Sequence, residues 1–165
     1  MLKVIKGRRS IRRFTCEAVD EDLVNTIIEM GTWAPSGLNN QPWRFVIIQN
    51  RDILDEMSRQ TKYSHIIENA PICISVFLDI SESYDRVKDI QAIGACIQNM
   101  LLTIHHIGLG GVWLGEILKN REQVEAILEV PENLELMAVI ALGRPAESKG
   151  SGRRKPIDQV VIARK

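Results

Sequence analysis

The stretch Ile72-Cys73-Ile74-Ser75-Val76-Phe77-Leu78, which follows Pro71, decides the fold class of this chain. A run with so few polar residues predicts a strand buried at the centre of a sheet. Leu136 to Leu142 has the same character, and shorter strands are predicted at Arg44 to Ile48 and Val112 to Leu114. The sequence therefore predicts a sheet whose middle strands are enclosed by other elements.

A long apolar helix is predicted from about Arg86 to Ile107, with hydrophobic side chains on all of its faces. Such a helix is expected to be buried. Gly94 and Ala95 near its middle would permit close approach by another helix, within the subunit or across a dimer interface, and we favour the interface. Three further helices are predicted between Asp20 and Gly31, between Asp52 and Gln60, and between Asn120 and Pro131.

The last part of the chain carries no helical pattern. Arg144 to Lys155 is polar, so it should run over the surface. Val160-Val161-Ile162 is strand-like but is remote from the rest of the core pattern. Such a tail could pair with the sheet of another subunit.

Length and composition predict one globular domain over residues 1–165, since the chain has 165 residues and is 45% hydrophobic. The 21 basic and 21 acidic side chains balance, which disfavours overall attraction to nucleic acid or to an anionic membrane. No run approaches a membrane span, and the expected location is the cytoplasm. Cys16, Cys73 and Cys96 are too widely spaced to indicate a disulfide framework or a zinc site.

The run Arg8-Arg9-Ser10-Ile11-Arg12-Arg13 concentrates cations around a hydroxyl group just before the first predicted helix. Guanidinium groups match phosphate oxygens bidentately, and a serine hydroxyl adds a short hydrogen bond. The run is therefore a candidate phosphate site. A solvated face, a nucleic-acid arm and a targeting signal are alternative interpretations of the run by itself.

Two further segments are candidate binding loops. Ala34 to Trp43 contains two prolines that limit backbone freedom, while Asn39, Asn40 and Gln41 offer hydrogen bonds to a heteroaromatic ring. An ordinary turn is the alternative. Arg153-Arg154-Lys155-Pro156 is a second basic cluster that could meet the first around one phosphate, or remain a solvated tail.

Other patterns give no catalytic group. Gly108-Leu109-Gly110-Gly111 follows a helix and precedes a strand, which is the reverse of the order in a dinucleotide-binding fingerprint. The adjacent His105 and His106 point in different directions on a helix, so a metal site is not expected. Glu116 could position a substrate or be solvated.

These segments together resemble the nitroreductase family of flavin enzymes, in the right order over nearly the whole chain. The resemblance implies an α+β fold with a mixed central sheet flanked by helices, in an intertwined homodimer that exchanges C-terminal tails. It also implies noncovalent FMN at each of two subunit interfaces. The residues it assigns to FMN are Arg8, Arg9, Ser10, Arg12 and Arg154 around the phosphate and ribityl chain, Leu114 and Gly115 beside the ring, and Pro35, Ser36, Gly37 and Asn39 in the partner's loop.

The chemistry that the resemblance implies is hydride transfer from NADH or NADPH to flavin N5, followed by reduction of a nitroaromatic compound, a quinone or a similar acceptor in a ping-pong cycle. No dedicated catalytic residue is required. The segment between Leu78 and Arg86 is short for a substrate-covering helix, so the acceptor stays open. Alternatives are reductive dehalogenation or flavin-ring breakdown on the same fold, a flavin- or nucleotide-binding module without turnover, and a small nucleic-acid binder.

Overall fold

A four-stranded sheet lies at the centre of the structure, a computed structural model that describes residues 1–147 and 150–165. Its order is β1-β2-β4-β3. The strands are β1 (Trp43–Ile48), β2 (Ile72–Asp79), β3 (Gly110–Leu114) and β4 (Leu134–Gly143). All four were predicted from the sequence, with bounds that differ by one to two residues.

The three pairings between these strands are antiparallel, which corrects the expectation of a mixed sheet. The reason is the path of the chain. A long helix carries it from β2 to the far edge of the sheet, and β4 then enters between β2 and β3, antiparallel to both. Among the described residues, parallel pairing is limited to the isolated bridge between Ser10 and Gly111.

Strand β2 is buried along its whole length, as the apolar run predicts. Ile72, Ile74, Val76 and Leu78 face one hydrophobic core, whereas Cys73 and Phe77 face a second core on the opposite side. The alternation follows from the two-residue period of a strand. Because both faces of the sheet are apolar, both require a layer of helices.

Five of the six α-helices within the described residues cover the sheet, and α1 packs on α5 instead. Helices α2 and α5 enclose the first core, and α3, α4 and α6 enclose the second. None of the described helices is long and apolar enough to cross a membrane. Their bounds are α1 (Leu2–Gly7), α2 (Glu21–Thr32), α3 (Arg51–Ser58), α4 (Ser64–Glu68), α5 (Arg86–His106) and α6 (Arg121–Ile127).

The glycine that lets α2 approach α5 is Gly31, which the sequence indicated as a helix end. It lies inside α2, and a Cβ atom added there would be 2.7 Å from Met100 Cγ. Gly94, in contrast, has open space around its α-carbon. Helix α5 is therefore buried on the side that meets α2 and the sheet, while Val87 and Ile90 on its outer side are exposed. The prediction of a fully buried helix is wrong for the single chain.

The N-terminal run lies against β3, and the C-terminal part of the chain runs over the surface. The bridge from Ser10 to Gly111 fixes the N-terminal run to the edge strand, and a second bridge joins Phe14 to Pro145. The predicted surface path of residues 144–155 agrees with the exposure of its described residues, whereas Ser148 and Lys149 lie outside them. Val160 to Ile162 forms no strand within the described chain and is exposed.

Ser75 gives a test of the core. Its hydroxyl is fully buried in β2 and has no hydrogen-bond partner among the described residues. A buried polar group without a partner is destabilising. We expect Ser75→Ala to raise the free energy of unfolding by about 1 kcal/mol, measured by urea denaturation. A clear loss of stability would show that the hydroxyl is satisfied in solution.

Candidate functional site

Arginines from opposite ends of the chain meet at one cavity. It has a volume of about 580 Å³ and is lined by Ile5, Lys6, Arg8, Arg9, Gln98, Gly152 and Arg154. Arg154, rather than its neighbour Arg153, lines it. Burial lowers the pKa of Arg8, and the positive charges of Arg154 and Arg9 lower it further. Because like charges this close repel one another, the arginine cavity favours an anion such as phosphate.

Arg9 joins the two ends of the chain. Its Nε donates to the carbonyl of Gly150 at 3.1 Å, and its Nη1 donates to the carbonyls of Lys6 at 2.8 Å and Arg8 at 2.7 Å. A Cβ atom added at Gly152 would lie 2.5 Å from the guanidinium carbon of Arg9. The tail therefore needs glycine there to pack against this side chain, and Arg9 brings the tail that carries Arg154 to the cavity.

Ser10 lies at the point where the N-terminal run meets β3. Ile11 N donates to the carbonyl of Gly111 at 3.1 Å, next to the bridge between Ser10 and Gly111. Ile11 also packs on Gly110, where an added Cβ atom would be 2.7 Å from its Cγ2. These contacts explain why β3 begins with Gly110: a residue without a side chain lets the basic run approach the edge strand closely.

A second cavity lies at the end of β3, with a volume of about 220 Å³. We call it the ring cavity, because it contains Leu114 and Gly115, which the resemblance assigns to the flavin ring. Arg12 lines the ring cavity and not the arginine cavity, whereas the resemblance assigns Arg12 to the phosphate and ribityl chain together with Arg8. The physical reason is distance along the run: an extended backbone advances about 3.3 Å per residue, so Arg12 can lie up to about 13 Å beyond Arg8. The ring cavity is lined by Arg12, Tyr63, Ile66, Val112, Trp113, Leu114, Gly115 and Glu116.

Glu116 is neither a free acid nor a solvated group. Its Oε2 accepts from Thr61 Oγ1 at 2.8 Å and from Lys62 N at 3.2 Å, and its Oε1 lies 3.3 Å from Lys119 Nζ. The hydrogen bond from Thr61 is the largest cause of the lowered pKa of Glu116. The carboxylate thus fixes residues 61–63, and with them Tyr63, beside the ring cavity. No local pattern predicted Tyr63 at this site, because the contact that holds it joins segments more than 50 residues apart.

The loop from Pro35 to Trp43 has a tightly defined backbone. Leu38, Asn39 and Gln41 have φ angles of 54°, 56° and 47°, a region that residues with side chains rarely adopt. Ser36 Oγ accepts from Gln41 N at 3.0 Å and closes the loop. The loop is therefore a built structure rather than a passive connection.

This loop does not meet the arginines within one chain. Among the described residues, none of Pro35, Ser36, Gly37 or Asn39 lines either the arginine cavity or the ring cavity. Most of the sequence-predicted residues thus fall into two groups, one at each cavity, and the loop residues form a third group elsewhere. The first comprises Arg8, Arg9 and Arg154, the second Arg12, Leu114 and Gly115.

The cysteines provide no nucleophile in the core. Burial raises the pKa of both Cys73 and Cys96 to about 12, which keeps these thiols protonated at neutral pH. Both are small side chains of the hydrophobic core, whereas Cys16 is exposed. Across residues 1–147 and 150–165, no group of three or more His, Cys, Asp or Glu side chains is arranged to hold a metal ion.

Comparison with known proteins gives one consistent family. A profile of the Nitroreductase family matches residues 5–60 and 53–144. A protein of Methanothermobacter thermautotrophicus described as an NADH dehydrogenase/NAD(P)H nitroreductase is 34% identical over 155 residues, covering 92% of this chain and 80% of the relative. A crystal structure from Desulfovibrio desulfuricans, described as a nitroreductase in complex with FMN, is 44% identical with a TM-score of 0.94, covering 99% of this chain and 96% of that one. An iodotyrosine deiodinase of Thermotoga neapolitana is 26% identical over 183 residues, covering 95% of this chain and 93% of the relative.

The role of Glu116 can be tested through pH. A carboxyl group whose pKa is lowered by folding stabilises the folded state above its unfolded pKa, and this contribution is lost as the pH falls through the folded pKa. We expect Glu116→Gln to lower the urea midpoint at pH 7, with a difference from the wild type that shrinks under acid conditions. The exposed Glu132→Gln is the control. A difference that is constant with pH would contradict an ionic role.

Proposed function

The chain belongs to the nitroreductase family and is an NAD(P)H-dependent flavin oxidoreductase, and from that premise we propose a specific reaction and a composite site. Hydride passes from NADH or NADPH through FMN to a nitroaromatic compound, a quinone or a similar electron-poor acceptor in a ping-pong cycle. FMN supplies the redox chemistry, and the protein supplies binding, orientation and electrostatics. The observation that carries the proposal is the arginine cavity formed by both ends of the chain, whose basic run also lines the ring cavity through Arg12.

The arginine cavity fits the phosphate end of the cofactor. Arg8 and Arg154 offer guanidinium donors, and their positive charges already repel one another. A phosphate dianion would relieve this repulsion as it binds. Arg9 has its Nε and Nη1 atoms bound to backbone carbonyls, so its main part is to hold the tail in place. Ser10 follows Arg9 and pairs with Gly111 of β3, and its hydroxyl group would serve the ribityl chain, although it lines neither cavity in the single chain.

The ring cavity fits the other end of the cofactor. Leu114 and Gly115 line it and would flank the isoalloxazine, and Gly115 leaves open space at its α-carbon for a planar ring. Arg12 is the cation at this end, where positive charge favours a reduced anionic flavin. Tyr63 borders the same cavity and adds an aromatic side chain that the sequence did not predict.

The loop residues Pro35, Ser36, Gly37 and Asn39 complete the site from a second copy of the chain. Support comes from their distance from both cavities and from an apolar surface that one chain leaves uncovered. That surface includes Trp33, which is 76% exposed, and Val87 and Ile90 on the outer side of α5. An intertwined homodimer buries this surface and gives two equal sites, each made by both subunits.

The C-terminal tail takes part in the same dimer. Strand β1 lies at an edge of the sheet, and its outer side is unpaired within the described residues. Val160 and Ile162 are exposed in the single chain, with Ile162 fully so. Exchange of the tails would add strand-forming residues to a free edge and cover apolar side chains together. Residues 1–165 then act as one FMN-binding domain in each subunit.

Reductive dehalogenation is the second candidate reaction, because the deiodinase relative spans almost the whole chain. Both reactions would use the same arginine cavity for the FMN phosphate and the same ring cavity. They differ in the acceptor that reoxidises the flavin, so acceptors are the variable to compare.

The test of the proposed function is anaerobic reduction. We expect the purified protein to be yellow, to bleach with NADH or NADPH, and to regain colour when a nitroaromatic compound or a quinone is added after the nucleotide is removed. Reoxidation by a halophenol alone would select the dehalogenase reaction. A colourless protein that takes up no FMN, or a yellow one that neither nucleotide bleaches, would contradict an NAD(P)H-driven cycle.

The proposed role of the arginine cavity in binding the FMN phosphate can be tested at Arg8. We expect Arg8→Ala to weaken FMN binding by about 10- to 100-fold, the size of lost hydrogen bonds between charged groups, without changing the dimer. Fluorescence titration of the apoprotein with FMN measures the effect. The neighbouring Arg13→Ala is the matched control, since Arg13 is exposed and does not line the arginine cavity. Equal affinity in the two variants would remove Arg8 from the site.

A further inference from the structure

Asp89 lies in the first part of α5 and is a fully buried carboxylate, with 0% of its surface exposed. Its Oδ1 accepts from Asn40 Nδ2 at 2.8 Å. Its Oδ2 accepts from Ser83 Oγ at 2.6 Å and from the backbone N–H groups of Tyr84 and Asp85, both at 3.1 Å. One side chain therefore connects the loop that contains Asn40, the segment before α5 and α5 itself.

The carboxylate remains ionised in this position. Burial alone would raise its pKa, but the hydrogen bonds from Ser83, Asn40 and the backbone outweigh burial, and the pKa of Asp89 is lowered. A buried charge that is satisfied on all sides accepts few other geometries. Asp89 thus fixes where Asn40 lies relative to α5.

Support for the start of α5 explains only part of the role of Asp89, through its hydrogen bonds from the backbone N–H groups of Tyr84 and Asp85. Asp85 is the N-cap of α5, and its own Oδ1 accepts from Lys88 N at 3.0 Å. Asp89 makes its distinctive contact with Asn40, a residue 49 positions earlier in the chain. The contact serves the loop rather than the helix.

The loop needs such support because of its backbone. Leu38 and Asn39 precede Asn40 with positive φ angles, and Gln41 follows it with another. Asn40 Nδ2 also donates to the carbonyl of Glu82 at 3.0 Å. The hydroxyl of Tyr84 lies 2.0 Å from the place of a Cβ atom at Gly37, so the segment before α5 packs directly on the loop.

We propose that Asp89 is a positioning residue for the flavin site of the partner subunit: through Asn40 it holds the loop in the conformation that presents Ser36 and Asn39 to that flavin. The inference rests on the proposed composite site. Asp89 touches no cofactor, and its effect is on the affinity and geometry of a site to which its own subunit contributes only the loop.

The first experiment compares Asp89→Asn with Asp85→Asn. Both remove one acidic charge at the same end of α5, and asparagine remains a good N-cap at position 85. Asp89→Asn replaces one carboxylate oxygen by an NH₂ group. That group would face hydrogen-bond donors of Asn40 or of the segment Ser83 to Asp85. We expect FMN affinity to fall at least about tenfold in Asp89→Asn, the effect of a lost hydrogen bond to a charged group, and to stay unchanged in Asp85→Asn.

Rescue separates positioning from general loss of stability. In the double variant Asn40→Asp, Asp89→Asn, the amide at position 89 donates to a carboxylate at position 40, and its oxygen still accepts from Ser83, Tyr84 and Asp85. Asn40→Asp also removes the donor to the carbonyl of Glu82, so we expect FMN affinity to recover in part, to a value above that of either single variant. A double variant that is folded and dimeric but binds FMN no better than either single variant would overturn the pairing of Asn40 with Asp89 as the relevant contact.

Mixed dimers test the action across the interface. One subunit carries Arg8→Ala and the other carries Asp89→Asn. If the loop serves the partner, both defects fall in one site and the other site is intact, so the mixed dimer binds one FMN with wild-type affinity. If the loop serves its own subunit, neither site is intact, and that result overturns the proposal.

These outcomes are distinguishable from failure of the proposed function. A wild-type chain that binds no FMN or forms no dimer contradicts the composite flavin site itself. A wild-type chain that binds FMN and loses it in Arg8→Ala, but not in Asp89→Asn, leaves the flavin site standing and removes Asp89 from it.

Discussion

Burial of β2 on both faces is the constraint on which the rest of the structure depends. An apolar strand with no solvent-facing side requires helices above and below it, and β4 beside it meets the same requirement. The polar residues of the candidate site are thereby excluded from the middle of the sheet. They lie at its edge strand β3, where Ser10 pairs with Gly111, and in the loop that leads into β1.

Two opposite electrostatic arrangements surround this core. At the chain ends, Arg8 and Arg154 are held near each other by Arg9, whose guanidinium binds the carbonyls of both segments. Repulsion between cations that the backbone has already gathered is relieved by an anion, so the site is organised before a phosphate arrives. Such organisation limits the entropy lost on binding.

The loop before β1 is held by buried carboxylates instead. Asp79 pairs with Arg44 at 2.9 Å, and Arg44 in turn donates to the carbonyl of Gln41 at 3.2 Å. Asp89 holds Asn40 from the other side. A loop with several positive φ angles is unfavourable by itself and persists because surrounding contacts determine it. Its rigidity suits the contact with a second copy of the chain that we propose.

The sequence by itself determined the strands, the long helix and the chemical type of the candidate site, because these depend on local periodicity and on residue type. The apolar run at Ile72 to Leu78 and the arginines at positions 8 and 154 carry that information directly. Only the tertiary structure decided that the strands pair antiparallel, that Arg12 lies with Leu114 rather than with Arg8, and that Glu116 and Asp89 hold loops in place. These outcomes depend on contacts between residues far apart in the chain, and local patterns contain no record of which distant groups will meet.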